Sequence, residues 1–120
     1  MTGTRAATPA LDALLDAFNA HDLDAIMGFF TDDCVFDTPR GQRLVGKEAV
    51  RAGFQARFDG IPDIVYGDER HWSSGDRGVS EWTIRGTRAT GGPIEVRGCD
   101  LFEFADGRIS RKDSFWKILD

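Results

Sequence analysis

Leu11, Leu14, Leu15 and Phe18 recur at the i, i+3, i+4, i+7 spacing of one helix face. They follow Thr8-Pro9, a pair suited to an N-cap and first helical position. Residues 1–7 read as a loose tail. Asp22 is placed to cap a second short helix burying Leu23, Ile26, Met27 and Phe30. A strand "CVFDTP" then runs to Pro39, a turn passes through Gly41, and a third helix from about Lys47 to Phe58 buries Val50, Phe54 and Phe58. Past the breaker "DGIPD" the pattern becomes that of strands, at about 63–72, 79–89, 93–104 and 108–118, with turns in "SSGDRG", "ATGGP" and "ADG". Helices first and antiparallel strands after them predict one α+β domain over 1–120, its curved, mostly antiparallel sheet wrapped on three helices.

The last hairpin carries the candidate chemistry. Asp106-Gly107 suits a type I′ turn, which needs positive φ at both central residues. If Ala105 pairs with Arg108 and the register holds, Asp100 faces Asp113 in an apolar stripe with Ile94, Val96, Phe102, Phe104, Ile109 and Phe115. Two carboxylates ~5 Å apart at an effective dielectric of ~20 repel by about 3 kcal/mol. Such a dyad is expected to share a proton and titrate as a unit. Asp100 would donate to a developing enolate oxygen and Asp113 would accept a proton. Arg111, two residues before Asp113, offers the competing reading of an ion cluster with no catalysis. A bulge in the hairpin would place the two acids on opposite faces.

Other candidates are weaker. Tyr66 and His71 lie at opposite parity on one strand, so at most one is expected to face a pocket. His71 is a possible general base and Tyr66 a possible phenolic donor. Asp37 is an alternative base. Phe54, Phe102, Phe104 and Phe115, with Arg111, are expected to line the cavity. Trp82 reads as core or interface, and Trp116 and Ile118 as dimer surface.

Composition removes several classes. A net charge of −5 with scattered Lys and Arg argues against nucleic acid or an anionic membrane as partner. Two cysteines, Cys34 and Cys99, make no disulfide framework, and with no secretory segment after Met1 a reduced, cytoplasmic pair is expected. With two histidines and neither CxxC nor HExxH, no metal site is expected. No glycine-rich loop has a dinucleotide site's strand-to-helix setting, and no cofactor is expected.

The stretches "AFNAHDLDAIMGFFTDDCVFDTPRG", "GKEAVRAGF" and "CDLFEFADGRISRKDSFW" resemble the nuclear transport factor 2-like superfamily, in its ketosteroid isomerase and SnoaL-like polyketide cyclase branch. The resemblance covers about residues 10–118. It implies a cone-shaped barrel with a deep apolar pocket, commonly dimeric. It aligns Asp100 with the isomerases' oxyanion-hole aspartic acid, an acid held neutral by its apolar site. Their base position falls at Thr38, one residue after Asp37, and their phenol position at Leu14. Asp113 matches an aspartate of limonene epoxide hydrolase, whose arginine and second aspartate fall at Glu81 and Thr83. Two functions follow as expectations. One is a cofactor-independent acid/base enzyme acting on a hydrophobic carbonyl compound. The other is a non-catalytic small-molecule-binding or dimeric interaction module.

Overall fold

A computed structural model describes residues 8–119; the expected tail over 1–7 lies outside them. Helix α1 (Thr8–Asn19) buries Leu11, Leu14, Leu15 and Phe18, the stripe that its spacing predicts. Helix α2 (Leu23–Met27) starts at Asp22, whose side chain accepts from the Ala25 N–H at 3.1 Å. It stops at Gly28, so Phe30 opens strand β1 (Phe30–Asp37) and is not part of the helix as expected. Strand β2 (Arg43–Val45) leads into helix α3 (Lys47–Gly60), which buries Val50, Phe54 and Phe58. Four long strands follow: β3 (Val65–Ser74), β4 (Arg77–Thr87), β5 (Pro93–Ala105) and β6 (Arg108–Ile118).

The six strands form one curved sheet in the order β2-β1-β6-β5-β4-β3. All neighbours are antiparallel except β1 and β6. The outermost strands do not pair with each other, so the expected barrel is an open, curved sheet. α1 packs on β3 and β4, and α3 on β1 and β2. Between helices and sheet lies one apolar core, including Phe18, Phe30, Phe54, Trp82 and Val96.

Two bulges decide what faces that core. At the last hairpin, Asp106 and Gly107 take φ of 52° and 81°, as the turn type requires. Ala105 pairs with Arg108 and Phe104 with Ile109, but Glu103 then pairs with Arg111. Ser110 is the extra residue, and its hydroxyl donates to Glu103 O at 3.1 Å. Asp100 therefore faces Ser114, and Asp113 faces Leu101 on the other side of the sheet. The facing acid pair does not form. Past Ser110, Lys112, Ser114 and Trp116 turn inward, while Arg111, Asp113 and Phe115 turn outward. Phe115, expected in the pocket, is 51% exposed, and Trp116, expected at the surface, packs against the core.

The second bulge lies between Gly67 and Arg70 on β3, where Asp68 adopts a φ of 51°. Tyr66 pairs with Ile84 and His71 with Ser80, so both face inward. The expected opposition of these two side chains is removed by the one extra residue between them.

Candidate functional site

Among the described residues, the interior holds one buried charge pair. Asp100 on β5 is 4% exposed and Lys112 on β6 is 6% exposed. Lys112 Nζ lies 3.2 Å from Asp100 Oδ1 and donates to Ser114 Oγ at 2.7 Å. Ser114 in turn donates to Asp100 Oδ1 at 2.5 Å. The second carboxylate oxygen accepts from the Trp82 indole at 2.8 Å. A buried carboxylate with both oxygens occupied by donors meets the condition under which such a charge is tolerated. Trp82 reaches it because Gly98 has no side chain: a Cβ there would lie 2.5 Å from the indole ring.

The Lys112 ammonium sits among aromatic rings, 4.5 Å from the Phe36 centroid and 5.4 Å from that of Phe54. Burial pushes its pKa below the ordinary lysine value, and the Asp100 charge opposes that shift. Tyr66 is also buried; desolvation, with Asp100 adding to it, raises its pKa, so the hydroxyl stays a neutral donor. Two voids of about 10 Å³ flank the pair. Tyr66 and Lys112 line both. Leu14, Ser80, Asp100 and Phe102 also line one, and Phe54, Trp82 and Ser114 the other. Each void has room for about one water.

Arg57 and Trp116, with Pro39, line both the second void and a vestibule of about 430 Å³. The guanidinium carbon stands 4.1 Å from the Trp116 ring centroid, a cation–π contact. The vestibule also takes in Arg40, Ile61, Arg88, Ile94 and Ile118.

Of the residues singled out from the sequence, Asp100, Tyr66, Phe54 and Phe102 meet at this interior. Asp113 does not: it pairs with Arg111 at 3.1 Å on the outer face. Arg111 also binds Asp37 at 2.8 Å and Glu103 at 2.9 Å, so it neutralises an outer cluster and lines no cavity. Asp37 is further held by Arg43 at 2.7 Å; these arginines, Arg43 first, lower its pKa. It is a counter-ion, not a free base. His71 bonds Ser80 Oγ at 2.8 Å beneath α1 and backs the first void through that serine. Phe104 packs beside Gly78 at the core's margin. Cys34 and Cys99 are free thiols.

Lys112, Ser114, Trp82 as a donor and Arg57 are the functional candidates that sequence reasoning missed. "SRKDS" is polar at every position, so no apolar alternation marks the slipped register. Asp12, Glu69 and His71 bring three ligand atoms within 4.8 Å of one another, but both carboxylates are exposed; Glu69 is hydrogen-bonded to His71 Nε2 at 3.1 Å and Asp12 stands 3.8 Å from it.

A model of the SnoaL-like domain matches residues 11–112. The chain belongs to the SnoaL-like family. No curated protein matches the sequence. Among solved structures, a proposed polyketide cyclase of Xanthomonas campestris is similar to this SnoaL-like protein with 25% identity and a TM-score of 0.88, over 94% of this chain and 91% of the other. A nuclear transport factor 2-like protein of unknown function from Burkholderia pseudomallei shares the fold at 18% identity and a TM-score of 0.85, over 93% and 91%. A proposed isomerase of Bacillus subtilis does so at 21% and 0.80, over 94% and 87%. Among the described residues, no helix is long and apolar enough to cross a membrane.

Proposed function

We propose that this SnoaL-like protein is a cofactor-independent isomerase or cyclase acting on a hydrophobic, carbonyl-bearing small molecule, with Lys112 as its proton-transfer group. The observation that carries this is a buried lysine, paired with Asp100, lining the same two voids as a neutral phenol. Burial lowers the Lys112 pKa, and in its deprotonated form the amine takes a proton from the carbon beside the carbonyl. Tyr66 donates a hydrogen bond to the enolate oxygen that forms. Asp100 holds the new ammonium, which returns its proton to another carbon in an isomerisation. In a ring closure the enolate carbon attacks a second carbonyl, and Lys112 protonates that oxygen. The substrate reaches Lys112 from the vestibule when Arg57 and Trp116 part. Asp113 has no role in this scheme.

Proton NMR of a panel of hydrophobic ketones in D₂O tests it. The wild type exchanges α-protons of at least one ketone, and Lys112→Gln slows this by about 100-fold or more. Tyr66→Phe slows it by about 100-fold. The small interior voids favour a second reading, a non-catalytic binder using the vestibule alone. A ketone that raises the melting midpoint yet exchanges no proton supports that reading and ends the first.

The exposed Leu101 and Phe115 on the outer sheet face, beside a groove of about 420 Å³, support a homodimer formed there. Phe115→Asp then yields a monomer in sedimentation, and an already monomeric wild type contradicts the assembly.

A further inference from the structure

The vestibule has a charge pattern that the chain as a whole does not. The sequence carries 20 acidic against 15 basic residues, yet the vestibule lining includes Arg40, Arg57 and Arg88 and no carboxylate. Elsewhere, Arg43, Arg51, Arg70, Arg85, Arg97 and Arg111 each lie within 3.4 Å of a carboxylate oxygen and Arg77 within 3.8 Å, while Arg108, at the exposed last hairpin, has no such partner among the described residues. Among the described residues, none of the three vestibule arginines has an ion-pair partner.

What they do contact leaves donors unspent. The Arg57 guanidinium carbon stands over the Trp116 ring at 4.1 Å, and Arg88 gives one N–H to Pro93 O at 2.9 Å. A half-buried guanidinium without a counter-charge is costly, and burial, with Arg40 adding to it, pushes the Arg57 pKa down. Alongside stand Ile61, Ile94, Trp116 and Ile118, an apolar wall in a cavity of about 430 Å³. That volume suits a small organic molecule.

The geometry points to a substrate that is an apolar carboxylate: its carboxylate docks on Arg57 and Arg88, and its body lies along Ile94, Trp116 and Ile118. This names the substrate class of the proposed enzyme and rests on that reading for the word substrate. The planar guanidinium fork matches a carboxylate bidentately. The same attraction draws Arg57 off the Trp116 ring, and these two residues line both the vestibule and the void beside Lys112. Anion binding and access to the charge pair are therefore coupled through one side chain.

Calorimetric titration with 2-naphthylacetate, its neutral amide 2-naphthylacetamide and 2-naphthyl phosphate provides the test. The wild type binds the carboxylate about 10-fold or more tightly than the amide, as charge-assisted hydrogen bonds of this kind allow. Added salt narrows the gap, and the R57Q/R88Q double variant, with its melting midpoint checked, removes it. Arg88→Gln alone, which leaves Arg57 in place, removes part. K112Q keeps the carboxylate preference. Equal binding of acid and amide, no binding of either, or a preference unchanged in the double variant overturns the inference. Tighter binding of the phosphate than of the carboxylate overturns the carboxylate assignment. Carboxylate preference without α-proton exchange removes the catalytic reading alone; exchange without the preference removes this inference alone.

Discussion

The Trp82 indole donates to Asp100 Oδ2 at 2.8 Å across the inner face of the sheet, and Gly98 supplies the space for its ring. Trp82→Phe keeps most of the ring volume but strips the carboxylate of that donor. A hydrogen bond to a charged group is worth about 1.5–3 kcal/mol, and a loss of that size in urea denaturation is expected. Gly98→Ala sets a Cβ against the ring and the Phe115 carbonyl oxygen, and costs about 1–3 kcal/mol by overpacking. Variants as stable as wild type contradict this placement of the indole.

His71 Nδ1 and Ser80 Oγ, 2.8 Å apart, meet only because β3 carries an extra residue before Arg70. A double-mutant cycle of His71→Ala and Ser80→Ala is expected to give a coupling of about 0.5–1.5 kcal/mol. Without the bulge, His71 would point to solvent and the coupling would be zero.

The outer cluster makes stability depend on pH on the acid side. Asp37 is held below its ordinary value of 3.8 by Arg43 and then Arg111, and Glu103 below 4.5 by Arg111. A carboxyl whose folded-state pKa is depressed adds stability that is full above its unfolded pKa. That stability is lost as pH falls through the folded value. The unfolding free-energy difference between wild type and Arg111→Met is therefore largest near neutral pH and shrinks below the ordinary carboxylate range. Arg43 keeps part of the hold on Asp37, so that contribution remains in the variant. Urea titrations at several pH values check this, and a pH-independent difference contradicts it.

Most of the fold was legible because it rests on signals that local chemistry enforces. The apolar stripe of α1, the Asp22 cap and the Asp106-Gly107 turn each appear where the residues demand. The site was less legible, since it turns on strand parity, and a single extra residue inverts parity for everything beyond it. Phe102, Phe104 and Ile109 keep the unbulged phase, so the slip at Ser110 begins after the last apolar marker. Phe115 stands where the unbulged stripe would continue, although it faces outward. On β3 the cue was present: Gly67-Asp68 interrupts the strand with residues that accept positive φ. The bulge at Ser110 exchanged one partnership for another, taking Asp113 away from Asp100 and bringing Lys112 and Ser114 to it.

The proposed chemistry requires Lys112 to be a desolvated proton-transfer group steadied by Asp100. The direct measurement is an NMR titration of the Lys112 side-chain nitrogen in wild type and in Asp100→Asn. A midpoint below the ordinary lysine value of 10.5 is expected in the wild type, and a lower one still once the neighbouring charge is removed. A midpoint at or above 10.5, or one that Asp100→Asn leaves in place, contradicts it.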